Sequence, residues 1–122
     1  MFLHLAHTTT DVFRESKKFV LECYRITRDF PAEEKYAMVQ QIRRAAMSVH
    51  LNIAEGCSKR SGNERKRFYE IARGSLIEAD AALDLVLELK YKTDEELQQV
   101  GSHLVSIFRQ LSGLIGKWAP PQ

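Results

Sequence analysis

The feature that most constrains the fold is a helical repeat of apolar residues that runs through most of the chain. The clearest case lies near the C-terminus, where seven apolar residues follow one another at three- and four-residue spacing: Leu97, Val100, Leu104, Ile107, Leu111, Leu114 and Trp118. This spacing places all seven on one stripe of an α-helix. No strand-like alternation of polar and apolar residues competes with it. The sequence therefore predicts an all-α protein.

Proline, glycine and capping residues divide this repeat into four predicted helices. Their bounds are about 10–29, 31–56, 61–90 and 93–118. Pro31 is predicted to begin the second helix, because proline disfavours helical backbone in the residue before it and fits the first helical position. Gly56 is predicted to end that helix in a left-handed conformation. Two capping boxes are predicted to open the last two helices: Ser61 with Glu64, and Thr93 with Glu96.

The length of 122 residues suits a single domain. Short loops make neighbouring helices antiparallel, so we predict an up-down-up-down four-helix bundle. We assign residues 1–9 to a flexible N-terminal segment, 10–118 to the bundle and 119–122 to a C-terminal tail.

Hydropathy and cysteine usage indicate a cytoplasmic protein. No run approaches the roughly 20 apolar residues that a membrane span requires. The N-terminus lacks the basic and apolar regions of a signal peptide. Cys23 and Cys57 lack metal-ligand or redox spacing. We therefore expect reduced cysteines and no membrane contact.

The third helix carries more apolar residues than one bundle core requires. Ten of them point in almost every direction around the helix: Leu76, Ile77, Ala79, Ala81, Ala82, Leu83, Leu85, Val86, Leu87 and Leu89. An all-round apolar helix is normally buried on several sides, so we predict an oligomer. Its predicted interface is formed by Met47, Leu51, Ala54, Ile77 and Ala81. The alternative is that these are scattered surface apolar residues.

Four polar residues are predicted to form a structural network: Arg43, Asn52, Glu55 and Glu78. Glu78 shares a helical arc with Ile71, Leu85 and Leu89, so we expect its carboxylate to be screened from water and paired. Arg43 is the favoured partner of Glu78, and Lys59 or Arg60 the partner of Glu55. The alternative is a small-molecule or metal site at Glu78 and His103.

Positive charge is concentrated in the middle of the chain. Eight basic and three acidic residues lie between positions 43 and 73, although the whole chain carries a net charge of only +2. Such an excess favours a polyanionic partner, because lysine and arginine can neutralise phosphates. The predicted nucleic-acid-binding residues are Arg44, Lys59, Arg60, Arg65, Lys66, Arg67 and Arg73. The alternative is a solvated turn neutralised by Glu64 and Glu70.

The sequence offers no recognisable catalytic equipment. It contains no Glu-x-x-His pair of the kind that binds metals in helical bundles, no glycine-rich phosphate loop and no nucleophile elbow. We therefore predict a protein that is not an enzyme and needs no metal or cofactor.

Several motifs resemble one family. They are Gln41-x-Arg43-Arg44-Ala45-x-x-Ser48, Asn52-Ile-Ala-Glu-Gly56, Arg60, Phe68, Ala72-Arg73-Gly74-Ser75-Leu76 and Glu78. Together they are similar to the small four-helix-bundle proteins encoded in intervening sequences of bacterial 23S ribosomal RNA genes. The chain departs from that pattern at Val49-His50-Leu51, and at Lys90-Tyr91-Lys92, where relatives often carry glycine.

The resemblance implies a homopentamer. It also implies kinship with the accessory variability protein of diversity-generating retroelements, a basic barrel that binds nucleic acid and its reverse transcriptase. The leading hypothesis is therefore an oligomeric adaptor that binds RNA or DNA, with a reverse transcriptase or other nucleic-acid enzyme as a further partner. The alternative is a protein-interaction scaffold without nucleic-acid binding.

Overall fold

A computed structural model describes residues 1–117 and consists of four α-helices. They are α1 (Asp11–Thr27), α2 (Met38–Ser58), α3 (Gly62–Glu88) and α4 (Gln98–Lys117), with short 3-10 helices at Ala6–Thr9 and Ala32–Glu34. No strand occurs within residues 1–117, which confirms the all-α prediction. Trp118 and the predicted tail 119–122 lie outside the described residues. Inside the N-terminal segment, His7 is buried.

The first helix begins one residue after its predicted start at residue 10 and ends at Thr27, two residues before its predicted end. Thr10 caps it, because its Oγ1 accepts a hydrogen bond from the backbone N–H of Phe13 at 3.3 Å. The buried stripe includes Phe13, Phe19, Cys23 and Ile26 at helical spacing. A cap of this kind contributes about 1 kcal/mol to helix stability.

The predicted start of the second helix at Pro31 is wrong. Pro31 opens a 3-10 turn instead, in which Glu34 N–H donates to the Pro31 carbonyl at 2.9 Å. The Tyr91 hydroxyl then donates to the Glu34 carboxylate at 2.6 Å and ties this turn to the segment after α3. Proline therefore starts only a short turn here. The α-helix itself begins at Met38, where the buried residue Val39 first packs against the core.

The predicted role of Gly56 is also wrong. Gly56 lies inside α2, which continues to Ser58, and its φ is not positive. A Cβ at this position would lie 2.7 Å from Cε1 of Tyr69. Because Gly56 has no side chain, the Tyr69 ring of α3 can pack directly against the backbone of α2.

The connections around α3 follow the predicted capping chemistry, although α3 ends at Glu88, before the predicted residue 90, and α4 begins at Gln98, after the predicted residue 93. Ser61 Oγ accepts from Glu64 N–H at 3.1 Å and begins α3. Thr93 and Glu96 form the reciprocal box, with bonds of 3.0 and 3.2 Å. That box closes a turn before α4 rather than starting α4 itself. Lys90 adopts a φ of 62°, the left-handed backbone that favours glycine.

The core lies between the four helices. Each helix contacts its neighbours in the chain, and α1 also contacts α4. Its largest fully buried side chains come from every helix: Phe19, Ile26, Ile42, Ile53, Leu76, Ile107 and Leu111. Cys23 and Cys57 are free and buried, and burial raises the pKa of the Cys23 thiol to about 12. Within residues 1–117, no helix combines the length and apolar character that crossing a bilayer requires.

Candidate nucleic-acid interface

A cluster of cations surrounds the turn between α2 and α3, which we call the basic turn: Lys59, Arg60, Arg65, Lys66 and Arg67. The turn is short, because α2 ends at Ser58 and α3 begins at Gly62. Arg65 Nε folds back and donates to the Lys59 carbonyl at 2.5 Å. This bond fixes the first turn of α3 against the end of α2.

The basic turn is organised around one aromatic ring. Lys59 Nζ lies 5.2 Å from the centroid of the half-buried Phe68 ring, and Arg67 Cζ lies 5.7 Å from it. Cations at such distances are attracted to the negative face of the ring. Lys59 Nζ also lies 3.4 Å from Oε2 of Glu55, one of the two pairings predicted for that glutamate.

Two guanidinium groups of the basic turn face water. Arg60 and Arg67 are exposed, and Lys66 is half-buried. Exposed guanidinium groups present planar donors that match phosphate oxygens. This arrangement suits contact with a sugar–phosphate backbone.

The other two predicted cations lie elsewhere. Arg73 Nη1 donates to Ser112 Oγ at 3.3 Å, so it faces α4. Arg44 precedes Lys59 by 15 residues on the same side of the turn, which places it roughly 22 Å away along the axis of α2. The seven cations were predicted as one set because of their charge. The fold brings together only the five of the basic turn.

The predicted screening of Glu78 is wrong for the single chain. Glu78 is exposed, and so are Ile71, Leu85 and Leu89 on the same arc. These residues do share an arc, but it faces outward. The buried side of α3 is formed instead by seven residues, three of which are alanine: Tyr69, Ala72, Leu76, Ala79, Ala82, Leu83 and Val86. Periodicity groups residues by direction without revealing which group of them meets a neighbouring helix.

The remaining predicted polar residues form separate contacts. Arg43 Nε donates to Thr27 Oγ1 at 3.0 Å, and its guanidinium lies 4.5 Å from the Tyr24 ring centroid. Arg43 therefore joins α2 to α1 rather than to Glu78. Asn52 donates to the Ser48 carbonyl at 2.8 Å.

Histidines form contacts that the sequence did not reveal. His50 Nδ1 lies 2.7 Å from Ser16 Oγ, and the His50 ring stacks on Phe13 at 4.4 Å between centroids. Burial lowers the pKa of His50, and Lys17 and His7 lower it further. The only sequence signal was the departure from the family pattern at Val49-His50-Leu51.

His103, which was grouped with Glu78 in the alternative small-molecule or metal site, contacts a different carboxylate. His103 Nδ1 lies 3.0 Å from Glu15 Oε1 on α1. Within residues 1–117, no group of three or more His, Cys, Asp or Glu side chains is arranged to hold a metal ion.

The predicted interface residues lie on two surfaces. Met47 and Leu51 are exposed and line a depression of about 660 Å³ that also includes Tyr24 of α1. Ile77 is exposed and lines a depression of about 380 Å³ with Val105 and Phe108 of α4. Ala81 is exposed and Ala54 is half-buried. Val105 and Phe108 were not among the predicted interface residues.

Comparison with known proteins decides the family. Residues 8–113 match the family described as "23S rRNA-intervening sequence protein". The chain belongs to this family. The resemblance seen in its motifs is thereby confirmed, whereas the kinship with the retroelement accessory protein stays a prediction.

A solved structure has the same fold. It is the 1.70 Å crystal structure of a protein of unknown function from the S23 ribosomal protein family of Bacteroides thetaiotaomicron VPI-5482. The two chains share 22% identity with a TM-score of 0.76, covering 85% of this chain and 97% of the other. No curated protein matches the chain. At this identity the likeness supports the fold alone.

Proposed function

We propose that this protein is a cytoplasmic, non-enzymatic adaptor: an antiparallel up-down-up-down bundle that assembles as a homopentamer and binds RNA or DNA through the basic turn. The observation that carries the binding proposal is the grouping of Lys59 and Arg67 about the Phe68 ring, with Arg60 exposed beside them. A nucleic-acid enzyme such as a reverse transcriptase is the protein partner that such an adaptor would serve.

The contacts between helices support the antiparallel arrangement. Ser16 of α1 contacts His50 of α2, while the later Thr27 contacts the earlier Arg43. The partner's number falls as the residue number rises, as it does for two helices that run in opposite directions. Pentamer formation would then repeat the basic turn five times and multiply its contacts with one nucleic acid.

Recognition of phosphates determines how the binding affinity depends on salt and on base sequence. Each phosphate neutralised by a cation releases counterions, so affinity falls steeply with salt. Contacts to the backbone alone carry little base preference. We therefore expect salt-sensitive binding with weak sequence preference.

The test is a matched pair of charge reversals. Lys66→Glu with Arg67→Glu changes the basic turn, and Lys18→Glu with Arg28→Glu makes the same change in net charge at α1. The first double variant should bind RNA or DNA more weakly, and its salt slope should fall by about 0.9 for each duplex phosphate that the variant no longer neutralises. The control should bind nearly as well as the wild type. Equal weakening in both variants would show that net charge alone matters and would reject the basic turn as the site.

A second candidate is a scaffold that binds protein without nucleic acid. The exposed apolar residues on α3 and α4 favour it, because contiguous apolar surface marks interaction sites. A scaffold of this kind would keep its protein partner bound after nuclease treatment and after the Lys66→Glu, Arg67→Glu double substitution, which distinguishes it from a nucleic-acid-binding adaptor. Release of the partner in both cases would count against it.

A further inference from the structure

Two apolar depressions on different helix pairs carry opposite charge at their rims. The first lies along α2 beside α1, and we call it the basic-rimmed face. Met47 and Leu51 form its apolar part, and Lys35 and Arg44 supply positive charge. Arg44, Met47 and Leu51 are all exposed, so this face is open to a partner.

The second surface, the acidic-rimmed face, lies between α3 and α4. It comprises grooves of about 850 and 380 Å³, which adjoin because Asp80, Val105 and Arg109 line both. Ile77 and Phe108 add exposed apolar area to it. Its acidic lining residues are Asp80, Asp84 and Asp94, against the single cation Arg109 among the residues that line these grooves.

The two faces lie at the same height along the bundle. Ser48 Oγ and Ser75 Oγ are 2.7 Å apart, which sets a common level for α2 and α3. In antiparallel helices, four residues before Ser48 on α2 correspond to four residues after Ser75 on α3. Arg44 is therefore level with Ala79, next to Asp80. One residue from it, Met47 is level with Leu76.

A shared depression extends this comparison to α4. Ile77 of α3 and Phe108 of α4 line the same depression, so they lie at about the same height. The hydrogen bond from Arg73 Nη1 to Ser112 Oγ agrees with this level, because Ile77 and Phe108 each lie four residues from that bond in opposite chain directions. Met47 is therefore within about one residue of the height of Ile77 and Phe108, while Arg44 is within about one residue of the height of Asp80. At about 1.5 Å per residue, these offsets are smaller than a side chain.

Symmetry decides how such faces combine. A two-fold interface sets the same face of each copy against the other, which here would set the positive charges of Lys35 and Arg44 against the same charges of a second copy. Joining unlike faces gives a heterologous contact, which closes into a ring when the rotation permits. Rotation about an axis parallel to the helices preserves height, so Arg44 can meet Asp80 and Met47 can meet Ile77 and Phe108 of the next copy.

We infer that the basic-rimmed face of one copy docks on the acidic-rimmed face of the next, with Arg44 beside Asp80 and Met47 against Ile77 and Phe108. This inference rests on the self-assembly proposed above and names the surfaces that form it. It assigns Arg44 to the contact between copies and leaves the basic turn free to bind nucleic acid. It also pairs Met47, which the sequence predicted for an oligomer interface, with Phe108, which the sequence did not indicate.

The test is a charge exchange measured by sedimentation velocity over a dilution series. Arg44→Glu alone and Asp80→Arg alone each place like charges together, so each should weaken association by about tenfold or more. The double variant restores opposite charges across the interface and should recover most of the wild-type association. Lys66→Glu, on the basic turn, is the matched control and should assemble normally.

A second pair of variants tests the apolar part. Ile77→Asp should weaken association, while Leu21→Asp, which changes a similarly exposed apolar residue on α1, should not. Arg44, Ile77, Asp80 and Leu21 are all exposed, and circular dichroism checks that each variant remains folded. A wild-type oligomer that neither single reversal weakens, or that the double variant does not restore, would overturn this inference and leave self-assembly standing. A wild type that is monomeric at every concentration would reject the proposed homopentamer together with it.

Discussion

The two sides of α3 differ in how completely they are closed. On the side of α2, Gly56 admits the Tyr69 ring, and Ser48 bonds to Ser75. On the side of α4, a groove of about 850 Å³ remains, and a Cβ added at Gly101 would meet nothing within 4 Å. The same helix thus closes one surface within the chain and leaves another open.

This difference explains how a single helix can be apolar in most directions. Small residues at the α2 contact allow the helices to approach closely, so that side fills itself. The side facing α4 carries larger exposed residues such as Ile77, and Phe108 across the groove. Under the proposed assembly, a second copy covers the groove between α3 and α4 that the first copy leaves exposed.

The largest expected effect separates buried from exposed leucines on α3. Leu76 is fully buried and Leu85 is 52% exposed. Leu76→Ala should lower the free energy of unfolding by about 2–5 kcal/mol, because it removes packed atoms and leaves a cavity. Leu85→Ala should change it by no more than about 0.5 kcal/mol. Urea unfolding monitored by circular dichroism measures both, and similar decreases would contradict the orientation of α3.

A smaller effect tests the closed side directly. Gly56→Ala should lower the free energy of unfolding by about 1–3 kcal/mol, because its Cβ would overpack the Tyr69 ring. Gly74→Ala is the matched control in α3, since nothing lies within 4 Å of the added Cβ. It should raise stability by about 0.5–1 kcal/mol through helix propensity. Opposite signs in thermal unfolding support the comparison, and a stabilising Gly56→Ala would break it.

The turn on the open side carries backbone strain that can be relieved. Lys90→Gly should raise the free energy of unfolding by up to about 1 kcal/mol, because Lys90 holds a left-handed conformation with a φ of 62°. Lys90→Ala is the control, since it removes the charged side chain and retains the Cβ that opposes this backbone. Chemical denaturation distinguishes them, and an equal response to both substitutions would rule out backbone strain.

The smallest effect concerns pH at the contact between α1 and α2. The folded state lowers the pKa of His50, so the unfolded chain binds more protons there. Stability from this group is therefore full above the unfolded pKa of about 6.5 and is lost as pH falls below it. The melting temperature of the wild type should fall further than that of His50→Gln between neutral and mildly acidic pH. Parallel pH profiles would show that His50 does not titrate in this way.

Much of the fold was accessible to sequence reasoning where a signal acts locally. Ser61 caps α3 as predicted, apolar residues at helical spacing form the core, and the cations of the basic turn lie together because they are close in the chain. Predictions were wrong where a residue's role depends on a partner that is distant in the sequence. Gly56 responds to Tyr69, which lies 13 positions later in the chain.

The candidate site shows the same limit. Five of the seven predicted cations meet at the basic turn, while Arg44 and Arg73 share their charge and lie on other surfaces. Glu78 shares the arc that periodicity assigned, and only the packing of α3 reveals that this arc faces outward. Angular position can be counted from the sequence, whereas the identity of the neighbouring surface depends on the whole fold.

Light scattering on nuclease-treated protein tests whether copies of this chain cover the open side of α3 and so form a ring. We predict a mass five times the 14.0 kDa of one chain, reduced by Arg44→Glu and by Ile77→Asp. A mass of 14.0 kDa at every concentration would contradict the account.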